Sequence, residues 1–136
     1  MRIGTHNGVF HADEALAVAM LMRVFPGSEV IRTRDNNVLQ TLDLLCDVGA
    51  EFDANRMRFD HHQRGFATYF GDRRNTVLSS AGLIYTFYGR RAIESVLKER
   101  NAVRAVSEDE MQRLFETIYV RFIEVRDNET REFEDV

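Results

Sequence analysis

Proline and lysine occur once each in this chain, at Pro26 and Lys98, cysteine occurs once, at Cys46, and tryptophan is absent. A lone cysteine excludes an internal disulfide framework and a thiolate zinc cluster, and its apolar context, Leu44-Leu45-Cys46, suits a buried small side chain. No apolar run approaches the roughly 20 residues that span a bilayer, and Met1-Arg2-Ile3-Gly4 does not open a signal peptide. The expectation is a soluble intracellular protein without a membrane partner, in the cytoplasm or an organelle. The formal net charge of −4 argues against a wholly basic face wrapped on duplex nucleic acid. Local basic patches remain compatible with it, and almost all the basic residues are arginine, the better bidentate partner for phosphate.

The composition, 44% hydrophobic and 29% charged over 136 residues, is that of a single globular domain with a packed core. Arg2 to His6 reads as a strand, Ala12 to Phe25 as a helix closed by the Pro26-Gly27 turn, and Glu29 to Thr33 as a second strand, which together make a βαβ unit. The apolar run Leu42 to Val48 has the look of a parallel strand covered on both faces, and Met57 to Asp60 suggests another short strand. Beyond a long polar loop, a helix capped at Ser79 or Ser80 runs to Tyr88, and a second covers Arg91 to Arg100. Ser107-Glu108-Asp109-Glu110 matches a capping box opening an amphipathic helix, with Met111, Leu114, Phe115, Ile118, Phe122 and Val125 on one face and Asp127 at its end. The fold class predicted is α/β, a parallel β-sheet flanked by helices.

All four histidines lie in two clusters, His6 with His11 and His61 with His62, and carboxylates accompany them at Asp13, Asp47 and Asp60. A single histidine is more often a hydrogen-bonded or surface residue than a ligand, but clustering at strand ends changes that. In open parallel sheets ligands bind beyond the carboxyl ends of the strands, where His6, Asp47 and Asp60-His61-His62 are predicted to fall. A mixture of imidazole and carboxylate suits Mn, Fe, Co or Zn, and the supply exceeds what one ion needs, so two ions sharing Asp47 is the economical reading.

Six ordered segments carry a resemblance: Thr5 to Ala17 (THNGVFHADEALA), Val30 to Asp35 (VIRTRD), Asp47 to Gly49 (DVG), Asp60 to Phe66 (DHHQRGF), Leu78 to Tyr85 (LSSAGLIY) and Asp127-Asn128. On these the chain resembles the melanocyte-proliferating-gene-one exonuclease family, also labelled metal-dependent protein hydrolases, of the DHH phosphoesterase superfamily. The resemblance implies a DHH-like N-terminal domain over residues 1–136, cut before a C-terminal domain that helps enclose substrate. It implies two divalent ions, manganese before Mg, Co or Zn, held by His6, His11, Asp13, Asp47, His61 and Asp127. Asp60 would orient an imidazole, and His62 and Arg64 would face the substrate phosphate, with Asn7 and Asn128 behind them. Val77 and Glu129 depart from the family pattern, which usually has lysine and glycine there.

The activity implied is hydrolysis of phosphodiester bonds by a metal-activated water, of the 3′-5′ RNA exonuclease kind, with RNA or an oligonucleotide as partner. A phosphatase acting on pyrophosphate or nucleotides is the alternative within enzymes. A non-catalytic, metal-stabilised assembly module, dimerising through an exposed edge, is the alternative outside them. Ser79-Ser80 reads first as a helix cap, and Phe66, Tyr69 and Phe70 as loop aromatics that either stack on bases or pack back onto the domain.

Overall fold

The computed structural model describes residues 1–100 and 105–128. Five strands form one sheet: β1 (Arg2–Thr5), β2 (Glu29–Arg32), β3 (Leu44–Cys46), β4 (Phe52–Asp53) and β5 (Arg58–Phe59). Their order is β2-β1-β3-β5-β4, with every pairing parallel except β4 against β5. The helices are α1 (Ala12–Val24), α2 (Asn36–Leu39), α3 (Ser80–Glu99) and α4 (Glu108–Ile118). The fold is thus α/β, a mostly parallel sheet flanked by helices.

The sheet is covered on both faces, as the unbroken apolar run around β3 requires. Leu44 and Cys46 enter the main core with Ile3, Phe59, Leu21, Leu83 and Ile84, whereas Leu45 turns to the other face and packs with Leu39, Leu42 and Val48. The second face is thin. A Cβ on Gly4 would lie 2.6 Å from Leu45 Cδ2 and 2.7 Å from Leu42 Cδ1, so glycine lets these leucines close down on β1. On the first face α1 lies against α3, and Ala17 and Ala81, both fully buried, allow the close approach.

Two elements differ from the sequence reading. The single helix α3 replaces the predicted pair: Gly89 is helical, and a Cβ there would meet the Tyr85 ring at 2.8 Å and Phe115 at 3.0 Å. Gly89 therefore makes room for α4 rather than ending a helix. After α4 the chain makes a π-helical turn, Tyr119–Ile123, and remains helical through Asn128. The wide turn changes which residues face inward. Tyr119, Ile123 and Asp127 are buried, while Leu114, Phe122 and Val125 are exposed. The capping box at Ser107 and Glu110 is present as read. Of the two departures from the family pattern, Val77 is buried in the structure and Glu129 lies outside the described residues.

Candidate metal centre

The carboxyl ends of β1, β3 and β5 lie side by side, and each is followed at once by a titratable residue: His6, Asp47 and Asp60. Between β1 and β3 the strand order reverses, since β1 is flanked by β2 on one side and β3 on the other. That opens the crevice in which doubly wound sheets hold ligands. Asp47 adopts a left-handed backbone, φ 57°, directly after β3, turning the chain sharply and setting its carboxylate under the crevice.

Two ligand groups meet at Asp47. In the first, His6, His11, Glu14 and Asp47 each offer one atom, and in the second Asp47, Asp60, His61 and His62 do so, the atoms of each group lying within 4.8 Å of one another. Nε2 of His6 is 2.8 Å from Nε2 of His11, 2.5 Å from Glu14 Oε2 and 3.4 Å from Asp47 Oδ2. His11 Nε2 is 3.3 Å from the same Asp47 oxygen. Asp47 Oδ2 and Glu14 Oε2 are buried without a hydrogen bond of acceptable geometry. Buried orphan acceptors cost free energy, and here they converge with two imidazole nitrogens, the donor set a divalent cation satisfies. The residues therefore fit a metal ion.

In the second group His61 Nδ1 lies 3.9 Å, and His62 Nδ1 3.7 Å, from Asp47 Oδ1. Asp60 does not compete for that place. Its Oδ1 stands 2.6 Å from His62 Nδ1 and accepts from the His62 N–H, and its Oδ2 accepts from Ala50 N–H. It is therefore placed to align the His62 ring. Burial would raise its carboxyl, but the bonds from His62 and Ala50 outweigh that and hold it below the usual range.

Asp13 and Asp127 occupy a third position, against the first turn of α3. Asp13 accepts from Ser79 Oγ (2.7 Å), Ser80 N–H (3.0 Å) and Ala81 N–H (2.5 Å), and its Oδ2 is 3.6 Å from His61 Nδ1. Asp127 accepts from Ser79 N–H and from the Tyr119 hydroxyl, and its Oδ1 lies 2.7 Å from Ser79 Oγ, whose one proton serves either aspartate. The positive end of a 20-residue helix stabilises both carboxylates. Gly82 is what admits Asp127, since a Cβ there would sit 2.5 Å from Asp127 Oδ1. Ser80 joins the three parts: its Oγ lies 3.2 Å from Asp47 Oδ1 and 3.0 Å from His61 Nδ1.

The structure thus brings His6, His11 and Asp47 together, and Asp47 with Asp60, His61 and His62, and sets Asp13 and Asp127 one layer deeper. Arg64 is exposed in the turn after His62 and makes no hydrogen bond or ion pair among the described residues. Sequence reasoning missed Glu14, although His11 and Glu14 stand three apart at the start of a helix, a spacing that stacks side chains on one face. It also missed Arg32. This guanidinium pairs with Glu14 Oε1 at 2.9 Å, donates to the carbonyls of His6 and Gly8, and lies 3.6 Å over the Phe10 ring, bracing the loop that carries both histidines. Two of the loop aromatics pack inward, Phe70 stacking on Tyr119 at 3.7 Å and Phe66 meeting Phe52 edge-on, whereas Tyr69 is exposed.

The electrostatics suit a cation. Burial and the charge of Asp13 push Asp47 up to about 7, and burial raises Asp127 to about 6 against the bonds from Ser79 and Tyr119. Burial, His11 and the nearby Arg34 and Arg32 lower His6 to about 4, which keeps its imidazole neutral and available as a ligand.

Comparison with known proteins agrees with the family, as distinct from the superfamily, read from the sequence. A MYG1 protein of Schizosaccharomyces pombe is 44% identical over 126 residues, covering 91% of this chain and 37% of its own length. A MYG1 protein of Saccharomyces cerevisiae is 41% identical, over 93% of this chain and 36% of its own. The human MYG1 exonuclease is 43% identical, over 90% of this chain and 33% of its own. The chain therefore spans about a third of the length of the curated relatives it matches. No solved structure matches it. The model of MYG1_exonuc, described as Uncharacterised protein family (UPF0160), matches residues 2–132, and the chain belongs to that family.

Proposed function

We propose that this chain carries the metal centre of a phosphoesterase of the DHH type that removes nucleotides from RNA in the 3′-5′ direction. One observation carries the reading: two groups of imidazole and carboxylate ligands share the single buried carboxylate of Asp47. The name of the human and bovine relatives, MYG1 exonuclease, supports it.

His6, His11 and Asp47, with Glu14 beside them, would hold one ion. Asp47 and His61 would hold the second, with Asp13 and Asp127 completing it from the α3 side. Two divalent ions, manganese first, supply Lewis acidity toward the phosphate and lower the pKa of water. The chain's own groups do the rest. Asp60 fixes the ring of His62, a residue that lines the cleft and would donate a hydrogen bond to a non-bridging phosphate oxygen. Ser80 orients Asp47 and His61 through its hydroxyl. Arg64 is free to approach the substrate from the rim, as the resemblance implies. The cleft, about 430 Å³ and lined by His6, His11, Asp47, Val48 and His62, accommodates a nucleotide.

The test is turnover of end-labelled RNA oligomers in manganese, alongside inorganic pyrophosphate, by this chain and by Asp47→Asn. Stepwise shortening from the 3′ end that depends on Asp47 is expected. Release of phosphate from pyrophosphate with RNA left intact would replace the nuclease reading with a phosphatase. Manganese binding with neither activity would leave a metal-stabilised module.

A further inference from the structure

Arg32 closes β2 and Arg34 follows two residues later, and both guanidiniums reach the loop after β1. Their surroundings differ. Arg32 is consumed by Glu14, two carbonyls and the Phe10 ring. Arg34 has one hydrogen bond, from Nη1 to Asn7 Oδ1 at 3.0 Å, and no carboxylate partner among the described residues. It nonetheless lines the cleft of the metal centre, together with Asn36, Leu39 and His62.

The position of the guanidinium follows from Gly8. A Cβ at that residue would lie 3.2 Å from Arg34 Nη1, 3.3 Å from Nη2 and 3.2 Å from His6 Nδ1. The bare glycine lets the arginine lie across the loop beside the His6 ring. Nδ1 is the nitrogen that accepts from Gly8 N–H, whereas Nε2 meets His11, Glu14 and Asp47. Arg34 therefore stands one imidazole away from the ligand group, beside the reacting position and not at it. An uncompensated arginine fork at the mouth of a carboxylate-rich cleft is suited to a phosphate dianion or diester.

We propose that Arg34, held by Asn7, binds a second phosphate of the substrate, adjacent to the one that is cut. The proposal rests on the phosphoesterase reading. The second phosphate is either the next one along a strand or the far half of a pyrophosphate. Asn36, on the same wall, is placed to add a hydrogen bond to that group.

Calorimetry in manganese with three non-hydrolysable ligands tests it: a dinucleoside methylenephosphonate, the same molecule with a 5′-phosphate, and imidodiphosphate. Arg34→Gln should weaken at least one of the two-phosphate ligands about 10- to 100-fold, the scale of losing a charge-assisted pair, and the one-phosphate ligand by less than about threefold. Which ligand suffers identifies the strand or the pyrophosphate as the source. Arg34→Lys should recover part of the loss, because it keeps the charge without the fork. Equal weakening of all three, no weakening, or a fall in manganese content of Arg34→Gln would overturn the proposal. Arg34-dependent binding by a protein that hydrolyses no phosphoester would sink the nuclease reading and leave the binding role standing. Hydrolysis insensitive to Arg34, with all three affinities unchanged, would do the reverse.

Discussion

Asp47 is a carboxylate kept where its charge is unwelcome until a cation arrives. In the metal-free protein its folded value, about 7, lies above the ordinary 3.8. The unfolded chain then binds fewer protons than the folded one between those values, so stability is fully present below about 4 and is lost as pH rises through about 7. Asp127, at about 6, acts in the same direction. His6 acts in the opposite direction: its value of about 4, against 6.5, withdraws stability as pH falls through that interval. Without metal, the melting temperature should therefore be nearly flat above about pH 7.5, rise as pH falls through about 7, pause between about 6.5 and 6 where His6 offsets Asp47, and rise again below about 6 where Asp127 joins Asp47. Saturating manganese should reverse the slope above pH 6.5, because binding requires the ionised carboxylate. A metal-free melting temperature that climbs steadily toward pH 8 would contradict this account.

The same residue separates ligand from substrate contact. Asp47→Asn should abolish manganese binding and turnover yet melt higher than the metal-free wild type at pH 8, since a buried charge has gone. His62→Ala should keep its manganese and slow turnover by roughly 100-fold, the scale of one oriented donor. Metal content by elemental analysis and rates on labelled RNA decide the pair. Loss of manganese from His62→Ala would make His62 a ligand.

At the level of elements, α3 organises the centre, for its first turn binds Asp13 and Asp127 and its Ser80 touches Asp47 and His61. Gly82→Ala should destabilise the protein by about 1–3 kcal/mol, as overpacking does, and should also weaken manganese binding by displacing Asp127. Melting and metal titration read the two effects. Gly89→Ala presses on Tyr85 and Phe115 from the far half of the helix, so it should cost stability and leave the metal affinity within about twofold. An equal effect of both on manganese would deny α3 its local role.

The strand before Asp47 was legible because Leu44-Leu45-Cys46 is an unbroken apolar run, and the shorter strands before His6 and Asp60 because Ile3 and Phe59 are set among polar residues. The ligand clusters were legible as polar groups where nothing but chemistry requires them. Glu14 was not, since inside an Ala-rich helix a glutamate ordinarily points to water, and only the fold shows it buried beneath Arg32. The inward face of the last helix was not legible either. A regular helical period aligns Leu114, Ile118, Phe122 and Val125, whereas the π turn shifts the register and brings Tyr119, Ile123 and Asp127 inside. The β4 strand and the short α2 have too few residues for a period to show.

For the molecule as a whole, the groups proposed to hold the ions all lie within the described residues, so manganese occupancy is expected without the two thirds of length by which the relatives exceed this chain. Chelation should lower the melting temperature of the protein, and added manganese should raise it in proportion to the logarithm of its free concentration. Insensitivity to chelator would mean that the centre is not a metal site.

Cys46 offers a way to watch this from inside. Its thiol is wholly buried next to Asp47 in the middle strand, and burial with the neighbouring carboxylates raises its pKa well beyond the ordinary value. A thiol reagent can reach it only when the strands part, so the rate of its modification becomes a clock for opening of the sheet at its centre. Occupied ligands on either side of that strand should slow the clock, and a chelator should speed it. The sequence carries no other cysteine to confuse the reading.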